Sequence, residues 1–203
     1  MTRPLIVLLH GNGARGQDLV PLGEALTSAL PHLRFTAPDA PHPHGDTGLR
    51  EWYSLTGVTP RNRPGRVARA RAARDEVIAA ELARFGVEQD LGRVAILGFS
   101  QGATMAFDAV ATGRWPVAAL ATFACRFATP GPLTPPPGLR AVLFHGLADE
   151  AVPWTDSDRA WKALSRAGCP ADALFLTGVG HEMHPQGMAL MARMLAEAFP
   201  PDP

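Results

Sequence analysis

Apolar positions along the chain alternate between two rhythms. Short runs rich in Val, Ile, Leu and Phe predict six strands, at 5–9, 33–37, 94–97, 117–122, 141–144 and 173–176. Between them, apolar residues recur every three to four positions and predict helices at about 19–30, 65–85, 101–112, 155–167 and 186–198. Within the second of these, Val67, Ala70, Val77, Leu82 and Phe85 fall at helical spacing, Gly86 stops the helix, and Arg66, Arg69 and Arg71 are left to face solvent. Thr155 with Asp158 three residues on reads as a capping box for the fourth helix. Strands alternating with helices imply α/β architecture around a mainly parallel sheet of about six strands, with helices on both faces.

Two stretches break the rhythm. Residues 38–63, containing PDAPHPHGDTG, and 128–138, containing ATPGPLTPPPG, carry too much Pro and Gly for element interiors and read as loops. About eighteen residues, 123–140, separate the fourth and fifth strands, too few for a cap domain, so the cleft above the sheet is expected to be open. No linker composition or internal repeat interrupts the pattern, and 1–203 reads as one domain.

Composition narrows the function. Nineteen basic residues balance nineteen acidic ones, so no global field favours nucleic acid or an anionic membrane. The arginines of 65–85 have no interleaved aromatics and read as a solvated face. No apolar stretch reaches the length of a membrane span. The N-terminal residues lack the separate regions of an export signal and read as a strand. Cys125 and Cys169 make no disulfide framework, which fits a reducing, cytoplasmic setting.

The densest chemical signal is Gly98-Phe99-Ser100-Gln101-Gly102, a Gly-x-Ser-x-Gly pattern between a predicted strand and a predicted helix. Side chains at 98 and 102 would collide in a turn that sharp, and glycine removes the collision. A serine hydroxyl is a weak nucleophile and needs a base, a group that orients the base, and donors for an oxyanion. The fifth strand runs into Asp149, preferred over Glu150, Asp156 and Asp158. The sixth runs through Gly178 and Gly180 into His181. Ser, Asp, His in that order, each past a strand end, is the α/β-hydrolase arrangement. The oxyanion donors are expected to be the backbone N–H groups of Gln101 and of Asn12, in the loop after the first strand.

Other readings compete for the same residues. His181 and His184 suggest a metal pair, but their spacing is i, i+3 and Pro185 disfavours a helical turn there. His184, like His10, His32 and His145, reads as structural. His42 and His44 with Asp39 or Asp46 lack convincing further ligands, so no metal or other cofactor is expected. Gly11-Asn12-Gly13-Ala14-Arg15-Gly16 fits the dinucleotide fingerprint, with Asp39 near the expected acid. That reading explains neither the Ser100 turn nor the placement of Asp149 and His181.

LHGNG, GFSQGA, HGLADEAVP and GHEMHPQGM together resemble the phospholipase/carboxylesterase family of α/β-hydrolases, which includes bacterial serine esterases and acyl-protein thioesterases. The resemblance spans about 5–195. It implies Ser100 as nucleophile, Asp149 and His181 as its partners, and Asn12 and Gln101 as oxyanion donors. It further implies a small or medium ester, or a thioester, as substrate. The chain departs from the family where Asn12 replaces a leucine, where Glu51-Trp52-Tyr53 replaces Gln-Trp-Phe, and where Ala124-Cys125-Arg126 replaces Ser-Gly-Arg. Trp52 and Arg126 are taken as pocket residues, and Asn12 implies a more polar pocket floor. A non-catalytic binding protein on the same fold, or a hydrolase-fold enzyme of other specificity such as a perhydrolase, stays open.

Overall fold

Alternation of side chains across each strand sorts the apolar residues into two cores, one on each face of a single sheet. Leu5, Val7 and Leu9 of the first strand pack on one side, and Ile6 and Leu8 on the other. Val94 and Ile96 oppose Ala95 and Leu97 in the same way. Runs buried on both faces are what a parallel sheet covered by helices requires.

The computed structural model describes residues 2–201, so Met1, Asp202 and Pro203, the ends of the expected 1–203 domain, lie outside the described residues. The sheet contains β1 (Leu5–Leu9), β2 (Arg34–Thr36), β5 (Val94–Phe99), β6 (Ala119–Phe123), β7 (Arg140–Gly146) and β8 (Ala171–Leu176). Their order is β2-β1-β5-β6-β7-β8, every neighbouring pair parallel. Leu26 of α1 (Val20–Ala29) and Met191 and Leu195 of α5 (Pro185–Ala198) fill one core. The other is filled from α2 (Arg63–Phe85), α3 (Gln101–Ala111) and α4 (Trp154–Arg166) by Ile78, Phe107 and Leu164 among others. No cap stands between β6 and β7. Among the described residues, no helix is long and apolar enough to cross a membrane.

The expected strands are present with shifted ends: β2 is shorter than its apolar run, β6 starts later than its own, and β5, β7 and β8 extend beyond theirs. β5 pairs on through Gly98 and Phe99, and β7 through His145 and Gly146, because backbone pairing continues where apolar patterning stops. The 38–63 stretch, expected to be loop throughout, contains a short antiparallel hairpin of β3 (His42–Pro43) and β4 (Arg50–Glu51). Two-residue strands carry no periodicity, and Pro43 argued against one. The capping box expected at Thr155 is not formed. The helix begins one residue earlier, after Pro153, and Asp158 instead meets Lys162 Nζ at 2.7 Å.

The arginine face of α2 needs a second correction. Arg69 is exposed, but Arg66 donates to Ser54 O at 2.8 Å. Arg71 grips both carboxylate oxygens of Asp108 at 2.9 Å. Arg74, fully buried on the stripe of Val67, Ala70, Ile78 and Leu82, donates Nη1 to Asp108 Oδ2 at 2.8 Å and Nη2 to Asp75 Oδ1 at 2.7 Å. Asp75 also accepts from Trp115 Nε1 at 2.7 Å and pairs with Arg114. Burial raises the Asp75 pKa, but Arg74, Trp115 and Arg114 outweigh it, so the carboxyl stays below its ordinary value. These charges bind α2 to α3, the helix that starts immediately after Ser100.

Candidate active site

Ser100 stands between β5 and α3 with φ 55° and ψ −114°, a backbone conformation rare outside glycine. Close packing holds it there. A Cβ on Gly98 would lie 2.4 Å from Gly102 O, and one on Gly102 would lie 2.1 Å from Leu9 O. The Ser100 N–H donates to Phe123 O at 2.9 Å, fixing the turn to β6.

The loops after β7 and β8 converge on this turn. His181 Nε2 lies 3.0 Å from Ser100 Oγ, and His181 Nδ1 lies 2.7 Å from Asp149 Oδ2. Phe99 packs against the imidazole with ring centroids 4.9 Å apart. Asp149 Oδ1 accepts from the N–H groups of Ala151 and Val152, both at 2.8 Å. Burial raises the Asp149 pKa, yet those N–H groups and the His181 ring prevail, leaving the carboxyl below its ordinary value. A carboxylate on Nδ1 keeps that nitrogen protonated and leaves Nε2 free to accept a proton from the hydroxyl. The rival acids stand elsewhere: Glu150 is exposed, Asp156 pairs with Arg126 and Arg159, and Asp158 pairs with Lys162.

His145, which sequence reasoning treated as structural, also reaches Asp149. Its Nε2 lies 3.0 Å from both Asp149 Oδ2 and Val152 O, and its Nδ1 lies 2.6 Å from Ser157 Oγ. Two acceptors facing Nε2 put the proton there and leave Nδ1 as an acceptor; the Ser157 hydroxyl faces both Nδ1 at 2.6 Å and Cys125 O at 3.2 Å, with one proton to share between them. Burial keeps the ring below its ordinary pKa despite the nearby carboxylate. Asp149 therefore has an imidazole on either side. The available signal was position: His145 sits at a strand end, four residues before Asp149.

The loop after β1 is pinned from three directions. His10 Nε2 accepts from Ala40 N–H at 2.9 Å, so Nδ1 carries the proton and donates to Gly11 O at 2.7 Å. Gly13 and Ala14 exchange backbone bonds of 3.0 and 2.9 Å with Arg50 of β4. The Trp52 indole N–H donates to His10 O at 2.9 Å. The Gln101 side chain joins this network, accepting from Trp52 N–H at 2.8 Å and donating to Tyr53 O at 2.7 Å. Among the described residues the Asn12 N–H has no hydrogen-bond partner, and the Gln101 N–H is at the open first turn of α3. Asn12, Ser100 and Gln101 line one cavity of about 180 Å³, with Tyr53, Thr104 and Arg126 among its other walls.

Trp52 is not a wall of that cavity. It is fully buried, with its ring turned inward to reach the His10 carbonyl, so it braces the loop after β1. Arg126 does line the cavity. The Asn12 Oδ1 is buried without a partner among the described residues. Asp39 accepts from Gly16 N–H at 2.8 Å, which ties it to the glycine loop it was considered with. His184 caps α5, its Nδ1 accepting from Gln186 N–H at 3.3 Å, and stacks on Phe144. His44 lies 3.1 Å from Glu51, while His42 is exposed. Among the described residues, no three His, Cys, Asp or Glu side chains come together to hold a metal. Burial raises the Cys125 thiol well above its ordinary range, which suits a packing residue.

Comparison with known proteins decides the family, because the phospholipase/carboxylesterase family model matches residues 1–198. The chain belongs to the phospholipase/carboxylesterase family. It is 24% identical to the esterase YpfH of Escherichia coli strain K12, over 97% of this chain and 83% of that one. It is 23% identical to acyl-protein thioesterase 1 homolog 1 of Dictyostelium discoideum, over 96% of this chain and 90% of that one. The crystal structure of esterase PE8 has a TM-score of 0.83 and 28% identity, covering 98% of this chain and 94% of that one. The fold is that of the α/β-hydrolases, and this family member is a hydrolase of carboxylesterase or thioesterase type.

Proposed function

We propose that the protein is a serine carboxylesterase acting on small to medium acyl esters, with Ser100 as nucleophile, His181 as base and Asp149 as the group that orients it. The observation that carries this reading is the continuous line from Ser100 Oγ through His181 to Asp149, with contacts of 3.0 and 2.7 Å. In this scheme His181 Nε2 takes the hydroxyl proton as Oγ attacks the ester carbonyl, and the N–H groups of Asn12 and Gln101 receive the negative oxygen. The imidazolium returns the proton to the leaving alcohol, and an acyl-Ser100 ester remains. Water then repeats the sequence and releases the acid. No step requires a cofactor.

A cavity of about 180 Å³ is below the roughly 300–1,000 Å³ of common ligand pockets, which favours short acyl groups. A thioester fits the same scheme, since only the leaving atom changes, and a curated relative is named as a thioesterase. The test is fluorophosphonate labelling together with hydrolysis of p-nitrophenyl esters and one acyl thioester. Stoichiometric labelling lost in Ser100→Ala, with hydrolysis reduced about 10⁴-fold or more, is the expected outcome. A folded Ser100→Ala variant with near-normal turnover rules the scheme out.

A further inference from the structure

Two guanidinium groups line the cavity beside Ser100, and only one of them meets a carboxylate. Arg63, in the first turn of α2, and Arg126, after β6, both line the cavity. Arg126 donates Nη2 to Ala151 O at 2.8 Å, and its Nη1 stands 3.4 Å from Asp156 Oδ2. Asp156 is shared, for Arg159 Nη1 meets its other oxygen at 2.9 Å. Arg63 has no carboxylate partner among the described residues. It stands beside the Tyr53 hydroxyl and close enough to Arg126 for the two charges to repel. Burial, with Arg63 adding to it, lowers the Arg126 pKa, and Arg63 offsets part of the rise that burial causes in Tyr53.

Two like charges on the wall of one small cavity repel, and an anion placed between them relieves that repulsion. Arg126 has a structural reason to be there, because it ties the 151–156 segment to β6. Arg63 closes no ion pair among the described residues, and the group it stands beside, the Tyr53 phenol, is itself a cavity wall. A guanidinium presents a planar fork of donors that matches a carboxylate in two-point geometry. The cavity is short, so such a carboxylate would sit within a few bonds of the carbonyl held over Ser100.

We propose that Arg63 and Arg126 form an anion subsite, and that the preferred substrates are short esters carrying a carboxylate, such as half-esters of dicarboxylic acids. This rests on the Ser100 hydrolase reading and narrows its substrate class. Arg63 is the specificity-determining residue, with Arg126 as the second donor.

The test compares charged and neutral esters matched in length, followed by pH-stat. Monomethyl glutarate against methyl pentanoate puts the charge on the acyl side, and 3-acetoxypropanoate against propyl acetate puts it on the alcohol side. The expected result is a charged-to-neutral ratio of kcat/KM of about 10 or more in one of the two pairs, which tells on which side the carboxylate lies. That ratio is expected to fall about tenfold in Arg63→Gln, to recover in part in Arg63→Lys, and to fall as NaCl is raised. Arg126→Gln also cuts the tie to Ala151, so Arg63 carries the test. A ratio near one in both pairs, or one indifferent to Arg63→Gln, overturns the subsite while hydrolysis of the neutral esters leaves the esterase reading standing. If no ester is turned over and fluorophosphonate does not label Ser100, the esterase reading fails. Calorimetric titration of the Ser100→Ala variant with monomethyl glutarate and 3-acetoxypropanoate then still decides the subsite, since binding of neither, or binding unchanged by Arg63→Gln, overturns it.

Discussion

A single methyl group at Gly146 is expected to separate His181 from its carboxylate. Gly146 ends β7, three residues before Asp149, and the loop that carries His181 crosses directly over it. A Cβ built there would lie 2.2 Å from Val179 O, 2.4 Å from Gly180 O and 2.6 Å from Val179 C, where ordinary contact is 3.4–4 Å. All three are backbone atoms, so no side chain can swing aside, and the two loops must part by about 1 Å. Parting them strains the Ala148 N–H to Val179 O bond of 2.9 Å and the 2.7 Å contact between His181 and Asp149. Overpacking of this kind costs about 1–3 kcal/mol, and a weakened backbone bond adds about 1 kcal/mol. A misplacement of about 1 Å in a catalytic group is worth on the order of 100-fold in rate. Gly146→Ala is therefore expected to lose about 2–4 kcal/mol in urea denaturation and about 100-fold in kcat for a p-nitrophenyl ester. Gly180→Ala is the contrast, because a Cβ there meets nothing within 4 Å. Stability within about 0.5 kcal/mol of wild type and kcat within a few-fold for Gly146→Ala would refute the account.

Trp52→Phe keeps the aromatic bulk but leaves the buried His10 carbonyl without its donor, and is expected to cost about 1–3 kcal/mol, with kcat falling more than KM rises; a kcat unchanged in steady-state assays would separate Trp52 from the oxyanion loop. Burial lowers the pKa of both His10 and His145, so below the unfolded value of about 6.5 the unfolded chain binds more protons and stability falls with falling pH, by up to about 1.4 kcal/mol per pH unit for each ring. Urea titrations between pH 7 and 5 are expected to show this slope, reduced in His10→Gln; a flat profile contradicts it. His181→Ala is expected to match Ser100→Ala in lost activity, whereas His184→Ala is expected to lose about 1 kcal/mol of stability with its helix cap and little kcat. An active His181→Ala beside a folded, inactive His184→Ala would reverse the two roles.

Much of this was legible in the chain because it depends on local rules. LIVLL announces a strand buried on both faces, GFSQG announces a turn only glycines allow, and the ends of two later apolar runs lead to Asp149 and His181. What escaped depends on which elements face each other. Arg74 sits on the apolar stripe of α2, and only the partner 34 residues away on α3 explains a charge there. Trp52 could have pointed to cleft or core until the His10 carbonyl was found within its reach. The β3–β4 hairpin is held by pairing to the loop after β1, and its own residues carry no periodic signal. His145 is indistinguishable in sequence from a core histidine, since its role lies in the carboxylate it shares.

The charged seam between α2 and α3 has a thermal consequence. Asp108 lies two turns into the helix that begins at Gln101, and both Asp108 and Arg74 are withdrawn from water. The penalty for withdrawing ions from water shrinks as temperature rises, while the gain per unit of apolar area levels off. On warming, this seam therefore tightens relative to the apolar packing around it. The first parts to loosen are expected to be those held by side-chain burial alone, and the serine turn at the head of α3 is expected to keep its geometry until the sheet itself begins to separate.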